Sequence, residues 1–350
     1  MSANWQRRWQ PLLDQWVLIS ARSAARPWSG AMAAPTYINT PSHDPDCYLC
    51  PRVVRANGTA NPDYQGAYAF DNDFPSLSFD APVEDTGKSA SILTRTAAAH
   101  GRCRVLCWSE DHSATLASLS LQQMQDVARL WQSEYRELSA QADIANVLIF
   151  ENKGTEIGVS NLHPHGQIYA TAFVTDTASR MRLAQARYAE DNDGLCLLQS
   201  MREDAHTQSK LIVETGQYFS VMVPFAARFA YESWIVPHRH VNSLIDMTDE
   251  EINELAELYQ RQVHRYDLLF QRSAPNITLL HNAPCDTEGN APELNRHWCF
   301  HLVFQPPLRD ATKLKFLAGF ESGSNNIVNP VQPEQAAEQL RQIDTQRWRS

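Results

Sequence analysis

Two copies of one pattern decide the fold. Val105-Leu106-Cys107-Trp108 leads to Ser120-Leu121-Gln122-Gln123, and Trp234-Ile235-Val236 leads to Thr248-Asp249-Glu250-Glu251. In each copy a strand-like apolar run precedes a Ser or Thr whose third successor is Gln or Glu, the capping box that begins a helix. The two caps lie 128 residues apart (248 − 120 = 128). The chain therefore reads as a tandem duplication, which we take as the basis for every later assignment.

The two predicted helices carry matching apolar faces. The stripes are Met124, Val127, Trp131, Tyr135 and Leu138 in the first helix, and Ile252, Leu255, Tyr259, Val263 and Tyr266 in the second. Because these spacings of three and four residues follow the turn of a helix, each stripe lies on one face. We expect both stripes to pack in the core rather than to form an aromatic ligand platform.

After each helix come two further strand-like runs. They are Val147-Leu148-Ile149-Phe150 and the histidine-rich 163–168 in the first half, and Ile277-Thr278-Leu279-Leu280 and the histidine-containing 297–304 in the second. Strand, helix, strand, strand in each half predicts an α+β fold whose tandem repeats form one large, mostly antiparallel sheet with flanking helices. We place the halves at residues 1–195 and 196–350 and expect one pseudo-symmetric unit.

Composition restricts the function classes. The chain has 350 residues, 43% of them hydrophobic and 20% charged, as in a folded protein. Its net charge of −10 gives no electrostatic attraction for nucleic acid or an anionic membrane, so a polyanionic ligand must be held by local groups. No long apolar run predicts a signal peptide or a membrane span, and we expect a cytoplasmic protein. The seven cysteines, an odd number, argue against a disulfide framework, and only Cys47 and Cys50 are spaced like metal ligands.

The sharpest chemical signal is His163-Pro164-His165-Gly166-Gln167. Pro164 disturbs the pleat between the two histidines, so we expect the rings to have separate roles. Gly166 would leave room for a ligand to approach the backbone, and Gln167 offers an amide donor beside the second ring. From spacing alone, a phosphoryl-oxygen site and a metal site or satisfied polar cluster are equally supported.

The surrounding sequence resembles the active-site strand of the galactose-1-phosphate uridylyltransferase family, part of the histidine-triad superfamily. That resemblance rests on Phe150-Glu151-Asn152-Lys153-Gly154 followed by Ser160-Asn161-Leu162 and the histidine motif. Further matches fall in family order: Arg26-Pro27-Trp28, Asp44-Pro45-Asp46-Cys47-Tyr48-Leu49-Cys50, Asn61-Pro62-Asp63-Tyr64, Asn72-Asp73-Phe74, Asp111-His112-Ser113 and Pro306-Pro307-Leu308. The resemblance covers nearly the whole chain and implies two histidine-triad-like halves.

The resemblance also implies the activity. His165 would attack the α-phosphorus of UDP-glucose, with its ring oriented by the carbonyl of His163, and Gln167 would contact the phosphoryl oxygens. The uridylyl group would then pass to galactose 1-phosphate in a ping-pong scheme. The implied substrate-binding residues are Arg26, Asn72, Asp73, Phe74, Asn152, Ser160, Lys315, Phe316, Gly319, Phe320 and Glu321. The last five belong to an arm that reaches the neighbouring subunit in the family, which implies a homodimer.

Two metal sites follow from the same resemblance. Cys47, Cys50, His112 and His163 match structural zinc ligands, a set of thiolates and imidazoles suited to closed tetrahedral zinc. A second site found in some relatives is matched here only by His281 and His301. Met181 and Val303 stand at its other two positions, and two histidines make a poor closed site. We therefore predict one zinc per chain and no second metal.

The sequence departs from the family in the regions that would recognise the sugar. Ser23 replaces an arginine, with Arg22 one residue earlier, and Ser322-Gly323-Ser324-Asn325-Asn326-Ile327 differs from the usual arm. An alternative is therefore a related nucleotidylyltransferase or phosphorylase with another nucleotide sugar or phosphate acceptor. A third hypothesis is a zinc-bound nucleotide-binding module without turnover.

Overall fold

The computed structural model describes residues 5–20, 40–82, 92–207 and 210–345. The strands in these ranges are β1 (Trp5–Gln10), β2 (Gln15–Ser20), β3 (Tyr68–Asp71), β4 (Gly101–Cys107), β5 (Asn146–Lys153), β6 (His165–Thr171), β7 (Ile212–Thr215), β8 (Phe219–Met222), β9 (Ser233–Pro237), β10 (Asn276–His281), β11 (His301–Gln305) and β12 (Val328–Asn329). The helices are α1 (Leu121–Ser139), α2 (Asp176–Asp191), α3 (Leu197–Thr207), α4 (Asp249–Phe270), α5 (Ala291–Asn295), α6 (Phe320–Ser324) and α7 (Pro333–Gln342).

Nine strands form one sheet in the order β3-β4-β6-β5-β10-β11-β9-β8-β7. Every neighbouring pair in it is antiparallel. At the centre, β5 pairs with β10, so the two halves share a continuous hydrogen-bonded sheet. The predicted α+β fold with one large antiparallel sheet is confirmed. The division at residue 195 stays a prediction.

Both predicted helices begin at their predicted caps. The hydroxyl of Ser120 accepts from the backbone nitrogen of Gln123 at 3.2 Å, and the Gln123 side chain accepts from the Ser120 nitrogen at 2.9 Å. The reciprocal pair recurs between Thr248 and Glu251 at 3.3 and 2.8 Å. These bonds satisfy backbone donors that the first helical turn leaves without an intrahelical partner.

The two apolar stripes form the core, as predicted. All ten residues are buried, and α1 packs against α4 on one face of the sheet. Trp131 and Tyr259 meet between the helices with ring centroids 5.2 Å apart. The aromatic stripe therefore serves packing and is not a ligand platform.

Two early strands and one late strand of the chain form a second, smaller sheet. Strands β1 and β2 form a hairpin, and β12 joins β2 in parallel. This sheet ties the beginning of the chain to the segment that follows β11. In the part of the chain that the structure describes, no helix has both the length and the apolar character needed to cross a bilayer.

Candidate active site

A cleft of about 330 Å³ opens where β5 ends and β6 begins. Its walls are residues 112–116, 151–156 and 161–165, together with Thr40, Val159, Arg272 and Ser273. It thus brings together the segment after β4, the loop after β5 and the turn before β10. The histidine motif forms one of its walls.

All four predicted metal ligands are assembled beside this cleft. Cys47, Cys50, His112 and His163 are all buried, and one donor atom from each lies within 4.8 Å of the others. The Cys50 sulfur is 3.6 Å from Nδ1 of His112 and 3.6 Å from Nδ1 of His163. Two sulfurs and two imidazole nitrogens are the donor set of closed tetrahedral sites, so this cluster could hold a metal ion.

The surroundings of the cluster suit metal binding. Nε2 of His163 lies 2.9 Å from the Ser109 carbonyl, an acceptor only, so this nitrogen carries the proton and Nδ1 keeps its lone pair. Such outer contacts orient ligand histidines in metal sites. The Asn161 side-chain amide donates to the Cys47 sulfur at 3.4 Å. Burial raises the pKa of the Cys50 thiol to about 11, so metal binding would release a proton there.

His165 has surroundings different from those of His163, as predicted. Its Nδ1 lies 2.7 Å from the backbone carbonyl of His163, the orientation expected from the sequence. Because a carbonyl only accepts, the proton sits on Nδ1 and the lone pair on Nε2. Burial lowers the pKa of His165, which favours the neutral ring. The structure starts β6 at His165, so His163 lies just before the strand, not within it as the sequence pattern suggested.

The reason for Gly166 differs from our expectation. A Cβ atom built there would lie 2.3 Å from Cζ2 of Trp108 and 2.8 Å from the carbonyl oxygen of Phe150. Glycine is needed because the indole of Trp108 packs against the strand, and the expectation of ligand room at the backbone was wrong. Trp108 is itself fixed, since its Nε1 donates to Glu151 at 3.1 Å and its backbone nitrogen donates to Pro164 at 2.9 Å. Trp108 thus contacts both neighbours of His165, Gly166 through its indole and Pro164 through its backbone.

We expect Gly166→Ala to destabilise the fold by about 1–3 kcal/mol, the usual cost of overpacking a core. A new methyl group must displace either the Trp108 ring or the Phe150 backbone, and both are held in place. Urea unfolding would measure the change. Gly323→Ala is the control, because a Cβ there meets no atom within 4 Å. Equal stability of the Gly166→Ala and wild-type proteins would contradict the packing role.

Asn152 and Gln167 lie on the same face of the sheet as His165. Gln167 pairs with Phe150 across β6 and β5, and Asn152 and His165 are each two residues further toward the cleft. Alternation along a strand therefore places all three side chains on one face. Ser160 is exposed on the loop between these strands and is not part of the cleft wall. Their contacts with substrate stay predictions.

The predicted uridine-binding segment follows β3, two strands away from β6. The Asn72 side chain accepts from the backbone nitrogen of Phe74 at 2.9 Å, and Phe74 is 79% exposed. Asp73 is ion-paired with Arg55 at 3.3 Å. Phe74 is thus available to a ligand, whereas the Asp73 carboxylate already has a cation. Arg26 lies outside the described residues, as do Arg22 and Ser23.

The predicted hexose-binding residues do not reach the cleft within one chain. The Lys315 ammonium donates to Glu321 at 2.6 Å and to the Val328 carbonyl at 2.8 Å. This pair joins the start of the arm to β12, and the Lys315 side chain is only 1% exposed. Phe316 and Phe320 are exposed, and Gly319 precedes α6 with a positive φ of 51°. Sugar recognition by these five residues stays a prediction that needs a second chain.

The second half contains a counterpart of the His165 geometry. Nδ1 of His301 lies 3.1 Å from the carbonyl of Cys299, two residues earlier, as in the first half. His301 is fully buried and stacks on His281 with centroids 4.8 Å apart. Met181 and Val303 belong to the same hydrophobic core. The prediction that no second metal binds at His281 and His301 stays a prediction.

Sequence reasoning missed several residues of the cleft. Glu151 is buried with a raised pKa, caused mainly by desolvation, and it accepts from Tyr259 at 2.7 Å as well as from Trp108. Its position directly after the apolar run of residues 147–150 is a usable signal in the sequence. Arg272 and Glu156 form an ion pair in the cleft wall. No local pattern links these two residues, which are 116 positions apart.

Comparisons with known proteins agree on one family. The model of the galactose-1-phosphate uridyl transferase N-terminal domain matches residues 2–175, and that of the C-terminal domain matches residues 182–349. A galactose-1-phosphate uridylyltransferase of Haemophilus influenzae is 38% identical over 96% of this chain and 94% of its own length. The enzyme of that name from Rattus norvegicus is 39% identical over 95% and 86%.

A solved structure extends the likeness in fold. An ADP-glucose phosphorylase from Arabidopsis thaliana, solved with bound ADP-glucose, superposes with a TM-score of 0.77. The match covers 97% of this chain and 99% of that one, at 23% identity. At this identity the likeness is one of fold alone.

Proposed function

The chain belongs to the galactose-1-phosphate uridylyltransferase family, and on that premise we propose that it transfers a uridylyl group from UDP-glucose to galactose 1-phosphate through a covalent intermediate on His165. The relatives that match nearly the whole chain are named uridylyltransferases, which supports an enzyme of this class.

One observation carries the proposal: the ring orientation of His165. The hydrogen bond from Nδ1 to the His163 carbonyl leaves the lone pair on Nε2, and the side chain lines the cleft. A neutral imidazole with a fixed tautomer is an effective nucleophile near neutral pH. His163 lies in the metal-ligand cluster, where the lone pair on Nδ1 would bind the ion and not attack phosphorus.

The chemistry needs little beyond positioning. In the first half-reaction Nε2 bonds to the α-phosphorus of UDP-glucose, and the bond from that phosphorus to the bridging oxygen breaks. Glucose 1-phosphate leaves with the electron pair, and as a weak base it requires no strong general acid. In the second half-reaction a phosphate oxygen of galactose 1-phosphate attacks the same phosphorus and the electron pair returns to Nε2. The proton on Nδ1 stays at the His163 carbonyl and stabilises the positive ring of the intermediate.

We assign zinc to the cluster of Cys47, Cys50, His112 and His163, because two thiolates and two imidazoles favour that metal. Four protein ligands leave no open position, so the ion would be structural. It would fix His163, whose carbonyl orients the nucleophile. We further propose a homodimer in which the arm of one chain approaches the cleft of the other, since Phe316 and Phe320 are exposed on that arm.

The decisive experiment is the intact mass of the protein after mixing with UDP-glucose alone. We expect the mass to rise by one uridylyl group and to return to its starting value when galactose 1-phosphate is added. Release of the adduct by a different sugar phosphate, and not by galactose 1-phosphate, would support the alternative acceptor suggested by the altered arm. UDP binding without any adduct would instead favour the binding module.

A further inference from the structure

The cleft contains a cationic group that the proposed chemistry has not used. In a protein with a net charge of −10, a phosphorylated sugar must be held by local groups, and local positive charge strengthens that binding. Apart from histidine rings, the described residues of the cleft wall include two cations, Lys153 and Arg272. Each is ion-paired, Lys153 with Asp267 at 3.0 Å and Arg272 with Glu156.

Arg272 is held at a fixed place in the wall. It lies in the turn between α4 and β10, where its backbone nitrogen donates to the Asp267 carbonyl at 3.1 Å. Its side chain is 7% exposed, and that of its partner Glu156 is 11% exposed. Glu156 belongs to the loop after β5, so the ion pair joins two walls of the cleft.

The backbone beneath the ion pair is closely packed. Gly154 has a φ of 103°, and a Cβ atom there would lie 2.7 Å from Cβ of Pro275. The loop after β5 therefore rests directly on the turn that carries Arg272. A guanidinium held in this way loses little conformational freedom when it binds a ligand, which favours affinity.

The two cations differ in what they can offer. A guanidinium has five N–H donors in a planar fork. In Arg272, Nε points to the Ser273 carbonyl at 3.5 Å and a terminal nitrogen pairs with Glu156, and the fork geometry lets the same group add a phosphate to its contacts. The Lys153 ammonium is a point charge, and its partner Asp267 is also fixed by the backbone nitrogen of Ala274 at 2.7 Å. Arg272 is the better phosphate ligand of the two.

The size of the cleft indicates which part of the substrate it receives. Its volume of about 330 Å³ is near the lower end of small-molecule pockets, which span roughly 300–1,000 Å³. Such a space suits one phosphorylated sugar rather than a whole nucleotide sugar. His165 and Arg272 both line this cleft, so the nucleophile and the guanidinium border the same space.

Resting on the proposed function, we infer that Arg272, held by Glu156, binds the phosphate of the sugar 1-phosphate and sets its affinity. This phosphate is not the one transferred. In the first half-reaction it leaves as part of glucose 1-phosphate, and in the second the corresponding phosphate of galactose 1-phosphate attacks. Glu156 has two effects in this arrangement. It orients the guanidinium, and its negative charge opposes the incoming phosphate.

The test is the binding of glucose 1-phosphate, measured by calorimetry on wild type, Arg272→Gln and Glu156→Gln. We expect Arg272→Gln to raise the dissociation constant about tenfold or more, the usual loss for a charge-assisted contact. Glu156→Gln should leave it unchanged or lower it, because the cation remains while a competing anion is gone. Arg265→Gln is the matched control, since Arg265 is also a buried, ion-paired arginine: it lies on α4, outside the cleft, and pairs with Glu214 at 2.7 Å.

Binding that weakens in Arg272→Gln but not in Glu156→Gln distinguishes a phosphate ligand from a structural ion pair. If both variants weaken binding alike, or if neither changes it, the inference is wrong. Because the measurement involves no turnover, it is independent of the proposed reaction. If wild-type protein forms no uridylyl adduct but Arg272→Gln still weakens glucose 1-phosphate binding, the proposed reaction is wrong and the phosphate site stands.

Discussion

His165→Ala protein should form no uridylyl adduct with UDP-glucose and should lose turnover by about 10⁴-fold or more, since the nucleophile of both half-reactions is gone. The substitution should leave β6 paired with β4, because His165 pairs with Cys107 through the backbone and not through its side chain. Intact mass and steady-state rate together would measure the change. Affinity for UDP should persist, because the groups predicted near the uridine are unchanged.

A histidine elsewhere provides the control for this variant. His206 is exposed on α3 and has no place in the cleft, so His206→Ala should form the adduct at the wild-type rate. An adduct that still forms on His165→Ala protein would show that another residue attacks phosphorus. Peptide mapping of that adduct would then identify the true nucleophile.

Cys50→Ser should remove the metal and much of the stability. We expect zinc content to fall from about one ion per chain to a small fraction, because the Cys50 sulfur lies 3.6 Å from Nδ1 of both ligand histidines. Removal of a structural ion costs several kcal/mol, so the midpoint of thermal unfolding should fall by about 10 °C or more. Elemental analysis and a thermal melt would measure the two effects.

A second buried thiol separates the loss of metal from the loss of packing. Cys103 is 3% exposed on β4 and lies outside the cluster. Cys103→Ser should therefore keep its zinc and lose only the stability associated with a buried polar substitution, about 1–3 kcal/mol. Zinc bound at wild-type levels in Cys50→Ser protein would refute the assignment of this ligand. Turnover of Cys50→Ser should fall as well, since His163 orients His165.

Local sequence determined the framework of this protein. The two capping boxes, the strand runs and the helical stripes depend on residues within a few positions of each other, so their spacing alone predicts elements and buried faces. The duplicated pattern then predicts one antiparallel sheet. The structure confirms these features from Ser120 to Tyr266. The two cysteines and two histidines matched to a metal also meet in space.

Tertiary structure alone decided how the cleft is completed. Gly166 faces the Trp108 indole rather than a ligand, because the turn after β4 folds that ring against β6. Lys315 and Glu321 neutralise each other beside β12 instead of facing the cleft. Arg272 meets Glu156 because the central pairing of β5 with β10 brings the loop after one strand to the turn before the other. Contacts between such distant positions depend on how whole elements pack, and sequence periodicity carries no information about that.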